Sequence, residues 1–133
     1  MRVTLHCDGG SRGNPGPAGV GVVITDGAGE VVGEVSQVIG IATNNVAEYE
    51  AVIRGLARAA ELGATEVDLV GDSELIAKQI TGAYKVKHPD MKPLHAAVIQ
   101  ALKEFDDWTI RTVPRAQNAD ADALVNQALD AAR

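Results

Sequence analysis

The chain contains one cysteine and few aromatic residues, and each shortage excludes a way of building a protein. Cys7 alone cannot form an internal disulfide, so we expect a fold without covalent cross-links, in the reducing cytoplasm. One Trp, two Tyr and one Phe leave the core to aliphatic side chains, among which we expect Cys7 to be buried. No apolar run approaches the roughly 20 residues that cross a membrane, and the first residues lack a signal-peptide pattern. We therefore expect a cytoplasmic protein with no membrane partner.

Length and charge narrow the class of protein further. With 133 residues, 46% of them hydrophobic, we expect a single domain over residues 1–133. The formal net charge of −6 argues against a nucleic-acid partner, whose binding surface is usually basic. Carboxylates that bind cations weaken this objection, because the cations cancel their charge. Lysines are also concentrated in one stretch, which on charge alone is a solvated loop: Lys78, Lys85, Lys87 and Lys92.

The hydrophobic pattern predicts strands first and then alternating helices and strands. Valine-rich runs with a turn at Asp26–Gly29 predict an antiparallel meander, and glycines predict a loop over Gly9–Gly16. From Tyr49 onward the period becomes helical. The order β-β-β-α-β-α-α-β-α implies an α/β fold with a mixed sheet and helices packed on it. The predicted elements are strands Arg2–Cys7, Gly19–Thr25 and Glu30–Ile39, a helix with apolar positions from Tyr49 to Ala60, strand Glu66–Val70, helix Ser73–Ile80, a helix with apolar positions from Leu94 to Phe105, strand Trp108–Val113, and a helix from Asn118 or Ala119 onward.

Four carboxylates fall where these elements begin or end. Asp8 ends the first strand, Glu48 lies in the first turn of the first long helix, and Asp72 ends the fourth strand. Asp122 lies in the last helix. If the first and fourth strands are parallel neighbours, Asp8 and Asp72 emerge side by side at the edge where α/β sheets place ligands. Carboxylates gathered there repel one another unless cations lie among them, and such oxygen-rich sites suit Mg²⁺ or Mn²⁺.

Each acid also has a purely structural explanation. Aspartates such as Asp8 and Asp72 are common turn formers at strand ends. Glu48 completes an Asn45-x-x-Glu48 pattern that is typical of a capping box. Asp122 is also typical of the first helical turn, where the helix dipole favours negative charge. The glycine-rich stretch after Asp8 serves either a tight turn or close approach to a phosphate chain, but it is not a Walker motif, because a strand follows it.

Taken together, four motifs resemble the type 1 ribonuclease H family over the whole chain. The resemblance implies a ribonuclease H-like fold, with a five-stranded mixed sheet of three antiparallel and then two parallel strands, flanked by about four helices. Any one motif is weak, whereas four in this order on the expected elements are specific. The motifs are Asp8-Gly9-Gly10 with Gly13-Asn14-Pro15-Gly16, Thr43-Asn44-Asn45 followed by Ala47-Glu48, Gly71-Asp72-Ser73, and Asn118-x-x-Ala121-Asp122.

The resemblance implies an endonuclease that hydrolyses the RNA strand of RNA–DNA hybrids and leaves 5′-phosphate and 3′-hydroxyl ends. Its cofactor would be Mg²⁺, as two ions when substrate is bound, with Mn²⁺ as a substitute. We expect a monomer without an obligate protein partner. Asp8, Glu48, Asp72 and Asp122 would be the catalytic, metal-binding carboxylates. The implied substrate contacts are Gly9, Gly10, Asn14, Asn44 and Asn45, with Thr43 on a DNA-strand phosphate, Glu74 in place of a common glutamine at the minor groove, and Lys85 and Lys87 on the backbone.

Two departures from the family pattern affect these expectations. Many members carry a histidine in the loop before the last helix, where this chain has Arg115. Arginine binds phosphate but is a poor proton shuttle, because it stays charged; a surface ion pair explains Arg115 equally well. Some members also carry a long basic helix and loop between Gln79 and Leu94, which is short here. We therefore expect weaker hybrid binding with a strong salt dependence.

Three other functions fit parts of the pattern. A non-catalytic hybrid-binding module would share the fold, but all four carboxylates are present. A DNA-cutting transposase or integrase-like nuclease keeps an acidic cluster but usually lacks the glycine-rich loop and the Thr43-Asn44-Asn45 run. A nucleotide-binding α/β protein would use the glycine-rich loop, yet the phosphate-loop lysine is missing.

Overall fold

The structure is a computed structural model that describes residues 1–132. These residues form one five-stranded sheet in the order β3-β2-β1-β4-β5, together with four α-helices and one short 3-10 helix. The α/β class, the mixed sheet and the number of helices are therefore as predicted. The elements are β1 (Arg2–Ser11), β2 (Gly16–Thr25), β3 (Val31–Ala42), α1 (Asn44–Glu61), β4 (Glu66–Gly71), α2 (Glu74–Thr81), α3 (Lys92–Leu102), β5 (Asp107–Thr112), the 3-10 helix (Arg115–Asn118) and α4 (Ala119–Ala131).

The pairing of β1 decides where the predicted acids meet. β1 pairs antiparallel with β2 and parallel with β4, while β2–β3 is antiparallel and β4–β5 is parallel. In the parallel pair, His6 lies opposite Val70, an offset of 64 residues. Asp8 and Asp72 each lie two residues beyond this pair, so they are related by the same offset. The two aspartates therefore lie side by side just past the last parallel pair. β4 ends at Gly71, but β1 continues to Ser11, so the prediction that Asp8 ends the first strand was wrong.

The helices cover both faces of the sheet around an aliphatic core. Alternate residues of β1 and β2, such as Leu5 and Val22, are fully buried and contact α1 at Gly55. The intervening residues of β2, such as Gly21, face α4 on the opposite side. Cys7 is buried as expected. Within the described part of the chain, no helix is both long enough and apolar enough to cross a bilayer.

Several predicted boundaries were wrong where tertiary contacts override local sequence. The loop predicted over Gly9–Gly16 is shorter, because β1 continues through Ser11 and pairs with the start of β2. β3 extends to Ala42 past a bulge opposite Ala18 and Gly19. α1 begins at Asn44, five residues before the first apolar position of its pattern, and α3 ends before Phe105. At the ends of β1 and β3 and at the start of α1, a polar or glycine-rich sequence is ordered by neighbouring elements.

Candidate active site

Three carboxylates from different elements meet at the carboxyl edge of the sheet. Ligand oxygens of Asp8, Glu48 and Asp72 all lie within 4.8 Å of one another. Asp8 is buried, with 5% of its surface exposed, and the other two are half-buried. We call these three residues the acidic trio. They line a cleft of about 320 Å³ together with five other residues predicted to act at the site, which are Gly9, Gly10, Asn44, Arg115 and Asp122.

Local structure fixes each member of the trio. Asp8 lies within β1, so the strand pairing holds its backbone. Asp72 directly precedes α2, whose N-cap Ser73 accepts a hydrogen bond from the Ile76 amide at 3.3 Å. Glu48 was predicted in the first turn of its helix, but α1 begins earlier and Glu48 lies in the second turn. The capping interpretation of Glu48 is also wrong, because Thr43 caps α1.

Two glycines allow the helices to approach closely enough to bring the acids together. A Cβ on Gly9 would lie 2.2 Å from the Ala47 carbonyl and 2.6 Å from the Glu48 nitrogen, so only glycine lets β1 pass against α1 here. On the other face, a Cβ on Gly21 would lie 2.2 Å from the Ala121 carbonyl of α4. Gly9 therefore has a packing role in addition to the substrate contact predicted for it.

Burial and mutual repulsion make the trio unfavourable as three bare negative charges. Burial raises the pKa of Asp8, and the Asp72 and Asp122 carboxylates raise it further. Burial also raises the pKa of Glu48, with the charges of Asp8 and Asp72 as the next causes. The Arg115 guanidinium opposes this effect on the pKa of Asp8. The folded trio is therefore stabilised either by protons or by cations between its oxygens.

The residues present fit a divalent cation. Their donors are carboxylate oxygens, the hard ligands that Mg²⁺ and Mn²⁺ prefer over nitrogen or sulfur. Three such groups converge within a few ångströms, which is the spacing at which one cation can contact all of them. Burial and the neighbouring carboxylates raise the pKa of Asp8 and of Glu48, so positive charge from a bound cation would stabilise their ionised forms.

Asp122 lines the same cleft from the first turn of α4, outside the closely spaced trio. Its carboxylate is near enough to that of Asp8 to raise the pKa of Asp8. Arg115 donates to Asp122 Oδ1 at 3.3 Å, and its side chain is 79% exposed. Both explanations offered for Arg115 therefore apply, since it forms a surface ion pair and also lines the cleft.

Asn118 is a residue whose role the sequence did not indicate. It is buried, with 2% of its surface exposed, and its amide nitrogen donates to the Cys7 carbonyl at 2.9 Å. Its Oδ1 has no hydrogen-bond partner among the described residues. Asn118 ties the start of α4 to the residue before Asp8, so it fixes how Asp122 sits relative to the trio. The motif included Asn118, but this contact between residues 111 positions apart needed the fold.

A second cleft, of about 310 Å³, gathers the predicted contacts Asn14, Thr43, Asn44 and Asn45. Hydrogen bonds to the side chains of Asn44 and Asn14 connect the turn after β1 to the start of α1. The Ser11 amide donates to Asn44 Oδ1 at 2.8 Å, and the Asn44 amide donates to Asn14 Oδ1 at 3.0 Å. Thr43 also accepts from the Val46 amide at 3.3 Å, so its hydroxyl already caps α1. Asn44 borders both clefts and connects them.

Three predicted substrate contacts lie outside both clefts. Glu74 is exposed at the start of α2 and pairs with Lys78 at 2.7 Å. Lys85 and Lys87 are exposed in the segment between α2 and α3. Lys78 also lies 5.0 Å from the centre of the Tyr84 ring, a cation–π contact that orders the start of this segment.

The sheet order, the flanking helices and the acidic edge define a ribonuclease H fold, and comparison with known proteins narrows the class. A family profile described as "Reverse transcriptase-like" matches residues 6–128. Ribonuclease HI of Halobacterium salinarum is 50% identical over 129 residues, which cover 97% of this chain and 65% of that protein. A bifunctional protein of Mycobacterium tuberculosis is 49% identical over 133 residues, 99% of this chain and 36% of that protein.

Solved structures agree with these sequence matches. The crystal structure of RNase H1 from Halobacterium salinarum superposes with a TM-score of 0.97 at 50% identity and covers 98% of this chain and 99% of that one. LC11-RNase H1 in complex with an RNA/DNA hybrid superposes with a TM-score of 0.93 at 47% identity and covers 98% of each chain. The chain belongs to the ribonuclease HI family. It spans less than two thirds of the length of the full-length relatives described above.

Proposed function

We propose that the protein is an endonuclease that hydrolyses the RNA strand of RNA–DNA hybrids and leaves 5′-phosphate and 3′-hydroxyl ends. The observation that carries this proposal is the acidic trio, three carboxylates within 4.8 Å at the carboxyl edge of a ribonuclease H sheet. A relative with 47% identity has been solved in complex with an RNA/DNA hybrid, which supports the substrate class. A module that binds hybrids without cutting them would have no need for a buried, mutually repelling trio.

The proposed cofactor is Mg²⁺, with Mn²⁺ as a substitute. Asp8, Glu48, Asp72 and Asp122 would hold two such ions when the hybrid is bound. Bound divalent cations supply Lewis-acid stabilisation of the phosphate and lower the pKa of a water. The same carboxylates would also orient that water. Arg115 contacts the RNA phosphate as a charged donor, and since it keeps its proton, it does not replace the family's histidine as a proton carrier.

The two clefts would divide the substrate between them. The cleft with the trio, which Gly9 and Gly10 line, would receive the RNA strand, and Asn14 and Asn45 would reach that strand from the second cleft. These four residues would approach its 2′-hydroxyls, which distinguish RNA from DNA. Thr43 lies in the second cleft, where it would contact a phosphate of the DNA strand. Asn44 and the exposed Glu74, Lys85 and Lys87 add outer contacts. Because these contacts are to backbone and sugar, cutting is expected to depend little on base sequence.

Further parts of the proposal concern the whole molecule. We propose that residues 1–133 act as one ribonuclease H domain, since the described residues share one continuous hydrophobic core. We also propose a cytoplasmic monomer without an obligate protein partner. A single buried thiol at Cys7 and the absence of disulfide pairing among the described residues are compatible with a reducing compartment.

A cleavage assay on four substrates tests the activity. End-labelled RNA annealed to DNA is incubated with the protein and Mg²⁺ or Mn²⁺, beside single-stranded RNA, RNA duplex and DNA duplex. We expect cleavage of the hybrid's RNA alone, lost in EDTA and in the Asp72→Asn variant. If a folded protein binds the hybrid but cuts nothing with either metal, the enzyme proposal fails and a binding module is favoured. Cleavage of the DNA duplex would instead favour a transposase-like nuclease.

A further inference from the structure

We propose that Arg12 is a further substrate-binding residue, which contacts a phosphate of the RNA strand away from the scissile one, and that Asp130 competes for it in the free protein. This inference rests on the proposed function, because it assigns a residue in the cleft that would receive the RNA. Arg12 was not among the residues predicted from the sequence. It lines the same cleft as the trio and pairs with Asp130, eight residues further along α4 than Asp122, the partner of Arg115.

The backbone around Arg12 is held in place, so ordering its side chain is the main entropic cost of using it. The Arg12 amide donates to the Pro17 carbonyl at 2.8 Å across the turn that joins β1 to β2. The preceding residue, Ser11, donates its amide to Asn44 at the start of α1. The turn is thus tied to its own second strand and to α1, and it presents the guanidinium to the cleft.

A stripe along α4 locates the guanidinium relative to the catalytic carboxylates. Asp122, Asn126 and Asp130 are spaced four residues apart and therefore share one helix face. Arg12 Nη2 lies 2.7 Å from Asp130 Oδ1 and 3.4 Å from Asn126 Oδ1. Asn126 donates to the Asp122 carbonyl at 3.2 Å and approaches its carboxylate at 3.5 Å. At 1.5 Å per residue, Asp130 is about 12 Å along the helix from Asp122, too far for the scissile phosphate.

The charges of the cleft explain why a cation is useful at this end. Its lining residues include four carboxylates and two guanidinium groups, those of Arg12 and Arg115. An RNA strand carries a negative charge at every nucleotide, so it meets repulsion wherever the carboxylates are not neutralised. Arg115 is next to Asp122, whereas Arg12 lies beyond it. A guanidinium presents parallel donors that match two phosphate oxygens, which makes arginine better suited to this contact than lysine.

The contact between Arg12 and a phosphate competes with the ion pair between Arg12 and Asp130. Side-chain exposure is 37% for Arg12 and 61% for Asp130, so water and salt screen their ion pair strongly. A phosphate of the bound strand can therefore displace Asp130 or share the guanidinium with it. Removal of the Asp130 charge should then strengthen hybrid binding, and this gain should require Arg12.

Hybrid binding by four single variants and one double variant tests this inference. Arg12→Gln and Asp130→Asn are compared with Arg58→Gln and Glu61→Gln, a matched exposed pair on α1 with 39% and 67% side-chain exposure. Affinity for a labelled hybrid is measured in EDTA over a range of salt, and kcat and KM are measured with Mg²⁺. Arg12→Gln should weaken binding about five- to tenfold near 0.1 M salt and lower the salt slope by about 1, with kcat nearly unchanged.

Asp130→Asn should tighten binding about two- to threefold, and the gain should vanish in the Arg12→Gln background. Wild-type affinity and salt slope in Arg12→Gln would overturn the inference, as would an equal loss in Arg58→Gln. Persistence of the Asp130→Asn gain without Arg12 would overturn the role of Asp130. If the wild-type protein fails to cut hybrids while Arg12→Gln still weakens binding, the proposed function fails and the contact stands.

Discussion

Acidic side chains gather near both ends of the parallel pair β1 and β4, and the repulsion among them is handled in opposite ways. At the amino ends, Arg2 contacts Glu66 at 2.8 Å, Asp68 at 2.6 Å and Asp107 at 3.1 Å. We call these four residues the arginine cluster. At the carboxyl ends, no member of the acidic trio forms an ion pair with a side chain of residues 1–132.

The pKa of Asp68 at one end shifts in the opposite direction from the pKa values of Asp8 and Glu48 at the other. The Arg2 guanidinium lowers the pKa of Asp68, with help from the Thr109 hydroxyl. Burial and neighbouring carboxylates raise the pKa of Asp8 and Glu48. The acids at the amino ends, which contribute to stability, are thus paired with Arg2, a cation of the protein itself. The trio has no such cation among the described side chains, so its buried charges lower the stability of the fold. This is the pattern expected of a site that binds cations from solution.

The largest expected effect separates activity from stability at these two ends. Asp72→Asn should lower kcat by at least about a thousandfold, since it removes a cation ligand worth several kcal/mol at the transition state. Asp68→Asn should leave kcat nearly unchanged and lower Tm by about 3 °C, because a half-exposed ion pair contributes little. Steady-state kinetics and thermal unfolding of both variants provide the measurements. A comparable loss of kcat in Asp68→Asn would contradict the division between the two ends.

The next effect concerns the residues that hold each end in place. Asn118→Ala removes the donor to the Cys7 carbonyl and should lower kcat about 10- to 100-fold, as loss of a supporting hydrogen bond at a metal site does. Thr109 donates to Asp68 at 2.5 Å and is the matched control. Thr109→Ala should change stability without changing kcat. The ratio of kcat loss to Tm loss therefore distinguishes positioning from general destabilisation, and equal ratios would show that Asn118 acts only on stability.

The sequence predicted the acids better than it predicted what holds them. The order of elements follows from the hydrophobic period, which is a local signal. The alignment of Asp8 with Asp72 also depends on parallel pairing of the first and fourth strands, which was only a condition of the prediction. The start of α1 was not predicted, because Asn44, Asn45 and Val46 show no apolar period. The helix begins there because Thr43 caps it and because the Asn44 amide donates a hydrogen bond to Asn14. Such contacts between distant segments leave no periodic pattern.

Arg12 and Asn118 illustrate the same limit at the site. Each bonds a residue more than 100 positions away, Asn126 for Arg12 and Cys7 for Asn118. The i, i+4 spacing of Asp122, Asn126 and Asp130 was visible in the sequence and predicts a shared helix face. The partner that faces this stripe could not be identified until the β1–β2 turn was placed beside α4.

A smaller effect is the dependence of stability on pH, and its sign should differ between the two ends. The raised pKa values of Asp8 and Glu48 mean that the folded state holds their protons more tightly than the unfolded chain does. Their contribution to stability is complete below the ordinary carboxyl pKa of about 4 and is lost as pH rises through the raised values. The lowered pKa of Asp68 gives the opposite sign, with stability lost on acidification below its ordinary pKa.

Thermal unfolding in EDTA from pH 3 to pH 9 measures both branches. Glu48→Gln should flatten the loss toward high pH and raise Tm at pH 8 by about 3 °C, while Asp68→Asn should flatten the loss toward low pH. Mg²⁺ should stabilise the wild-type protein more at pH 8 than at pH 5, and more than it stabilises Glu48→Gln. A Glu48→Gln variant less stable than wild type at pH 8 in EDTA would show that the trio is not repulsive.

The smallest effect tests an acid that lies near the site but already has a cation. Glu74 follows Asp72 by two positions and pairs with Lys78 across one helical turn, and this pairing lowers its pKa. Glu74→Gln removes a negative charge near the expected minor-groove contact and frees Lys78. We expect KM for the hybrid to fall about two- to threefold, since exposed pairs of this kind are weak.

Glu50→Gln breaks the equivalent pair with Arg54 on α1 and should leave KM unchanged. Equal changes in both variants would mean that overall charge, and not the position of Glu74, controls binding; a salt titration of KM distinguishes the two, because only a local contact changes its slope.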